Sequence, residues 1–182
     1  MNEPPIVEGK AAGLRRAFDL SFASQPPQAS PEACDLLLIR VAGDPYAIRL
    51  GEIAGLVAGR RVVPVPAVTL DLLGLAGIRG GVVPVFGLLS ILGYGQAPGS
   101  PRWMVLCGAE DPIALAFSDF EGHLRVPKSS LHADESPRTT RQYVDQVVRT
   151  DAGVRAVIGI PLVVATIRNR VGQRQPTRSI EP

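Results

Sequence analysis

Aromatic residues are scarce in this sequence, at 5% of the chain, and histidine, cysteine, methionine and lysine occur only twice each. Each shortage excludes something. Cys34 and Cys107 can form neither a disulfide framework nor a metal-ligand spacing, so each reads as a small buried hydrophobe or a stray thiol. His123 and His132 stand nine residues apart in segments rich in turns and charge. Neither has a partner at metal-ligand spacing, and neither is near a motif serine or cysteine that it could activate. No catalytic residue, metal site or cofactor site is therefore expected. Charge of one sign is also missing: 19 basic residues face 17 acidic ones and are scattered, which leaves no electrostatic footprint for nucleic acid. The first thirty residues hold no continuous apolar segment of the secretory type, and no apolar run approaches the length of about 18 needed to span a bilayer. The chain reads as cytoplasmic, without direct membrane insertion.

What is present is aliphatic and frequently interrupted. Apolar residues make up 46% of the chain, with 19 glycines and 17 prolines at short intervals. That composition suits many short strands and turns. The stretch DLLLIRVAGDPYAIRL contains two apolar runs joined by Ala42-Gly43-Asp44-Pro45, a hairpin signal. In its second half Tyr46, Ile48 and Leu50 alternate with Ala47 and Arg49, the period of a half-buried strand. A similar hairpin runs from Trp103 to Phe117 around Gly108-Ala109-Glu110-Asp111-Pro112.

The two hairpins align. Ala42 to Ile53 matches Ala109 to Phe120 in the pattern Ala-x-Asp-Pro-apolar-Ala-apolar-x-apolar-x-acid-apolar, with Asp111 lying 67 residues after Asp44. A second pair, Gly81 to Leu88 and Gly153 to Ile160, aligns at an offset of 72 residues. The spacing predicts one β unit used twice, each copy with about five strands, enough to curl into a small barrel and remove exposed edges. Pro84 cannot donate to a central ladder and is expected at an edge or bulge. Brief helices are expected at Gly87–Leu92 and Pro161–Ile167, with Pro161 in a first turn that tolerates it.

Residues 1–33 differ from the rest. Ser24 to Ala33 is a proline-rich linker. Before it, Leu14, Phe18 and Phe22 recur every four residues and would share one face of a short docking helix. A disordered tail with chance spacing is the alternative. Residues 34–172 form the body, and residues 173–182 read as a frayed tail.

The stretch GLAGIRGGVVPVFGLLSILG, Gly74 to Gly93, resembles the signature of CheW-like domains: Gly-Leu, an apolar residue, Asn, an apolar residue, Arg-Gly, then Pro-Val-x-Asp-Leu and a final Leu-Gly. Gly74, Leu75, Ile78, Arg79, Gly80, Pro84, Val85, Leu88, Leu92 and Gly93 fill their slots. The likeness extends in register from about Asp35 to Ile167. It implies an all-β fold with short helices, in which two SH3-like five-stranded barrels pack around a shared aliphatic core. It also implies a chemotaxis-type adaptor without catalysis, monomeric or weakly self-associating. The implied partners are the regulatory domain of a CheA-like histidine kinase and the cytoplasmic tip of a chemoreceptor. The partner-binding residues it implies are Arg79, Gly80, Val83, Pro84 and Val85, with Leu56 and Val57. The sequence departs from the pattern at Gly77 and Gly87, where the family has Asn and Asp. It departs again at Ser118, and at Asp145 where the family has Gly. Lost turn-holding hydrogen bonds at such positions cost about 1 kcal/mol each. A phosphate-cradling role for Gly77–Gly81 is disfavoured, because no Lys-Ser/Thr pair follows and no strong amphipathic helix begins there. Glycine there instead suits a tight turn with positive φ. A small-ligand sensor on the same fold, with a pocket made between the barrels by Gly77, Gly87 and Ser118, is the competing functional reading.

Overall fold

The computed structural model describes residues 32–66, 69–95, 99, 101–134, 142–150 and 153–172. Leu14, Phe18 and Phe22 lie outside the described residues. The strands are β1 (Ala33–Val41), β2 (Asp44–Arg49), β3 (Gly55–Ala58), β4 (Leu72–Ile78), β5 (Gly81–Gly87), β6 (Trp103–Cys107), β7 (Ile113–Phe117), β8 (Asp119–Pro127), β9 (Leu131–Ala133), β10 (Val144–Thr150) and β11 (Gly153–Ile158). Two helices join them, α1 (Leu88–Ile91) and α2 (Ile160–Gly172). α2 runs five residues beyond the Ile167 expected from sequence, and Ile160, Val163 and Ile167 keep one of its faces buried.

One sheet has the order β8-β1-β2-β11-β10-β9 and the other β3-β6-β7-β5-β4. Each closes on itself. In the first, β8 continues through a short turn into β9, which pairs with β10 at the far edge. In the second, the chain leaving β3 returns to β4 as a single bridge, where Val63 and Leu75 exchange backbone hydrogen bonds of 2.8 and 2.9 Å. A side chain on Gly74 would put Cβ 2.1 Å from the Val63 carbonyl oxygen, so this closure requires glycine.

The repeat read from the sequence is real in the registers, but its two copies do not each build a barrel. β2 pairs in parallel with β11, placing Ala47 opposite Val157 and Ile48 opposite Ile158. β7 pairs in parallel with β5, placing Ala114 opposite Val85 and Leu115 opposite Phe86. These pairs superpose on one another at the same two sequence offsets. β3 and β8 correspond as well, since Gly55 opposes Leu106 as Gly122 opposes Leu38. Even the irregularities repeat: Leu73 is skipped in the β4–β5 register and Asp145 in the β10–β11 register. Each barrel thus takes an edge strand and a hairpin from different copies of the unit.

Exchange explains why so many strands are apolar on both faces. Tyr46 and Ile48 enter a core shared by the barrels, together with Leu37, Val105, Leu115, Phe86 and Ile160. Ala47, expected to be on a half-exposed strand, is fully buried inside the first barrel with Leu36, Val148 and Val157. Val83, Val85, Met104, Leu106, Ala114 and Ala116 fill the second barrel. Alternation with period two therefore feeds two cores, one on each face. Pro84 sits in an interior strand, opposite Leu75, but the β7 register begins one residue later at Val85. Its missing donor faces a stretch paired on one side only.

Candidate functional site

β4 and β5 are joined by Arg79 and Gly80, with φ of 51° and 81°. These angles define the two-residue turn whose twist matches the flanking strands. The turn carries Arg79 toward the opposite edge of the same sheet, where its guanidinium lies across Gly55 and donates to the Ala54 carbonyl at 3.3 Å. No carboxylate pairs with Arg79 among the described residues. Beneath it is an open pocket of about 390 Å³, walled by Ile78, Val82, Val83, Leu106 and Pro112, with Ala54 and Gly108 at its margins. Val82, on the rim, is 73% exposed.

The residues expected at a partner surface divide in two. Arg79 and Gly80 are exposed, Pro84, Leu56 and Val57 are half-buried, and among the described residues β3 pairs with β6 alone. Val83 and Val85 are 3% and 0% exposed, so their side chains support this surface from within the barrel and offer a partner nothing. Val82, Ala54 and Gly108 escaped the sequence reading. The alternation around Pro84 could have marked Val82 as outward-facing, whereas nothing local marks Ala54 or Gly108.

The opposite barrel shows what the pocket lacks. The positions equivalent to Ala54, Gly108 and Val83 are Glu121, Arg40 and Arg155. Glu121 Oε1 meets Arg40 Nε at 2.5 Å, and its Oε2 meets Arg155 Nη2 at 2.6 Å. Burial opposes ionisation of Glu121, but hydrogen bonds from Arg40 and Arg155 outweigh it and hold the carboxyl below its ordinary range. The Arg155 side chain is 7% exposed, so this ion cluster plugs the barrel end. In the second barrel, three small or apolar residues at the same stations leave space.

The departures from the family pattern have separate consequences. Gly87 is buried against Leu73, and a Cβ there would meet that side chain at 3.4 Å. Gly77 and Ser118 are exposed. None of the three lines the pocket at Arg79. Asp145 receives two hydrogen bonds from Arg49, at 2.9 and 3.0 Å. Arg49 also holds Glu52 at 2.8 Å, and Glu52 Oε2 accepts the backbone N–H of Ile160 at 3.0 Å, capping α2.

The remaining chemistry-bearing groups are dispersed. His123 Nε2 lies 2.9 Å from Asp35 in an exposed pair, and His132 is exposed. Cys107 is buried, and burial pushes its thiol up to about 12. Among the described residues no group of three or more His, Cys, Asp or Glu side chains could hold a metal ion. Among them, too, no helix is long and apolar enough to cross a membrane.

Comparison with known families matches residues 35–167 to the CheW-like domain. Among solved structures, the fold is similar to the crystal structure of the scaffolding protein TtCheW from Thermoanaerobacter tengcongensis. The TM-score is 0.61 at 16% identity, covering 69% of this chain and 88% of that one. No curated protein matches the sequence.

Proposed function

The chain belongs to the CheW-like domain family, and from that premise we propose that it is a non-catalytic adaptor coupling chemoreceptors to a CheA-like histidine kinase. The observation that carries this reading is the face around Arg79. A guanidinium with no carboxylate partner among the described residues stands beside an exposed Val82 and an apolar hollow. A strand, β3, that pairs with β6 alone among the described residues runs alongside. Protein interfaces concentrate their binding energy on such combinations, an arginine anchor over apolar surface with few other charges. The edge of β3 away from β6 adds backbone donors and acceptors that an extended segment of a partner can pair. Leu56, Val57, Arg79, Gly80 and Pro84 form this contact surface, and Val83 and Val85 hold it in shape.

The kinase regulatory domain and the receptor tip are the partners this family role requires. Placement in the cytoplasm, clustered with membrane-bound receptors through those partners, follows from the same role. The test is co-sedimentation of the full chain with receptor cytoplasmic fragments and a CheA-like kinase taken from the same cell. Recovery of the chain with each partner, and of the kinase with the receptor fragments only when the chain is added, supports the adaptor. Failure to bind either one defeats it.

A further inference from the structure

We propose that the pocket beneath Arg79 binds a small amphipathic carboxylate, a free organic acid whose apolar body enters the barrel end while its carboxylate meets the guanidinium. This goes beyond the adaptor reading and does not depend on it. Four observations converge. At about 390 Å³ the pocket falls within the range of small-molecule sites, about 300–1,000 Å³. Ile78, Val82, Val83, Leu106 and Pro112 give it apolar walls, which favour a ligand with a hydrocarbon body over a small hydrated ion. Arg79, at its mouth, makes one hydrogen bond of 3.3 Å to a neutral carbonyl, and a guanidinium carries five donors.

The fourth observation is internal to the molecule. At the equivalent end of the first barrel a carboxylate is already in place, that of Glu121, held by Arg40 and Arg155. In the second barrel the carboxylate-bearing position is Ala54. The positions of Arg40 and Arg155 are Gly108 and Val83 there, so the space is open, and Arg79 reaches it from the β4–β5 turn with no carboxylate partner among the described residues. A ligand carboxylate would give Arg79 a guanidinium–carboxylate pair, whose parallel hydrogen bonds are stronger than neutral ones. A neutral ligand would not use Arg79, and a multiply charged one would meet a single guanidinium among the residues lining the pocket.

The test uses hexanoate as probe, with 1-hexanol as the same body without charge and acetate as the charge without a body. Each is titrated into the full chain while backbone amide shifts are followed by NMR. Hexanoate should give saturable shifts clustered on Ala54, Gly81, Val82 and Gly108, and bind at least about tenfold more tightly than hexanol or acetate. Arg79→Gln should reduce hexanoate to the level of hexanol and leave hexanol unchanged. Ala54→Leu, which fills the pocket from an exposed position, should abolish binding of both. The amide spectrum of each variant reports whether it is folded. Absence of saturable shifts at millimolar hexanoate overturns the proposal. So does equal affinity for hexanoate and hexanol, or hexanoate binding unchanged in both variants.

Discussion

Ile48 and Ile158 face each other in a parallel strand pair, although they come from the first hairpin and the last strand of the body. Leu115 and Phe86 are the equivalent pair in the other barrel. Both pairs join strands from different copies of the repeated unit. Neither barrel can therefore close without the other half of the chain, and the core between them is common to both.

Unfolding should accordingly be a single event. Val85→Asp and Val157→Asp each place a carboxylate at a fully buried position, one in each barrel. An unpaired charge there costs several kcal/mol, a large share of the 5–15 kcal/mol that holds a typical domain together. Trp103 on β6 packs against Phe120 on β8, their rings tilted to each other with centroids 5.1 Å apart, so its fluorescence reports on both barrels. Either variant should lose Trp103 fluorescence and far-ultraviolet circular dichroism together. A variant that keeps one barrel folded would show that exchange does not couple them.

The Arg40–Glu121–Arg155 cluster makes a different prediction. Glu121→Ala leaves Arg155 buried without its carboxylate and should cost about 3 kcal/mol in urea unfolding. Adding Arg155→Val gives this barrel the residues found in the other one, Ala54 and Val83, and should recover most of the loss. The pH dependence has a fixed sign. The folded pKa of Glu121 is lowered, so its contribution is present above the ordinary carboxylate range and is lost as acid takes pH down through the folded value. Glu121→Gln should flatten this decline between about pH 5 and pH 3. Equal acid sensitivity in Glu121→Gln and the parent would remove Glu121 from the account.

The sequence made the repeated unit legible because hairpins leave local marks. Ala42-Gly43 and Arg79-Gly80 both form turns with two positive φ values, and the strands beside them alternate. Strand exchange was not legible, because a parallel pair such as Ile48 and Ile158 is set by long-range packing and has no turn between its members. The same holds for the site. Arg79 stands out in its motif, but Ala54, Val83 and Gly108 are unremarkable until the fold brings them together at the positions where the other barrel carries a charged cluster. Val83 and Val85 were expected at the surface through family position, and only the inner core shows where their side chains go.

Two glycines in the recognition stretch should respond oppositely to alanine. Gly74 has φ of 145° and would drive Cβ to 2.1 Å from the Val63 oxygen, so Gly74→Ala must break the bridge that closes the second barrel. A loss of about 2 kcal/mol or more is expected, since backbone cannot yield as a side-chain tip can. Gly77 has nothing within 4 Å of its Cβ position and no positive φ. Gly77→Ala should be neutral or stabilise by up to about 1 kcal/mol, through the unfolded chain. Denaturant midpoints measured side by side decide the matter, and a reversed order would contradict the closure described for this barrel.

Arg79→Ala separates anchoring from architecture. The residue is exposed, and its recorded bond is a 3.3 Å contact to one carbonyl, so truncation should move the unfolding midpoint by less than about 0.5 kcal/mol. If the guanidinium is the anchor of the partner face, the same change should weaken binding to a CheA-like regulatory domain or to a receptor tip by about tenfold or more. Calorimetric titration of each partner against parent and variant measures this directly. Arg79→Lys refines the test, because lysine keeps the charge but loses the planar fork, and recovery should be partial at best. Full affinity in Arg79→Ala with unchanged stability would move the docking surface elsewhere on the barrels. A large stability loss with unchanged affinity per folded molecule would make Arg79 a strut between the β4–β5 turn and the start of β3.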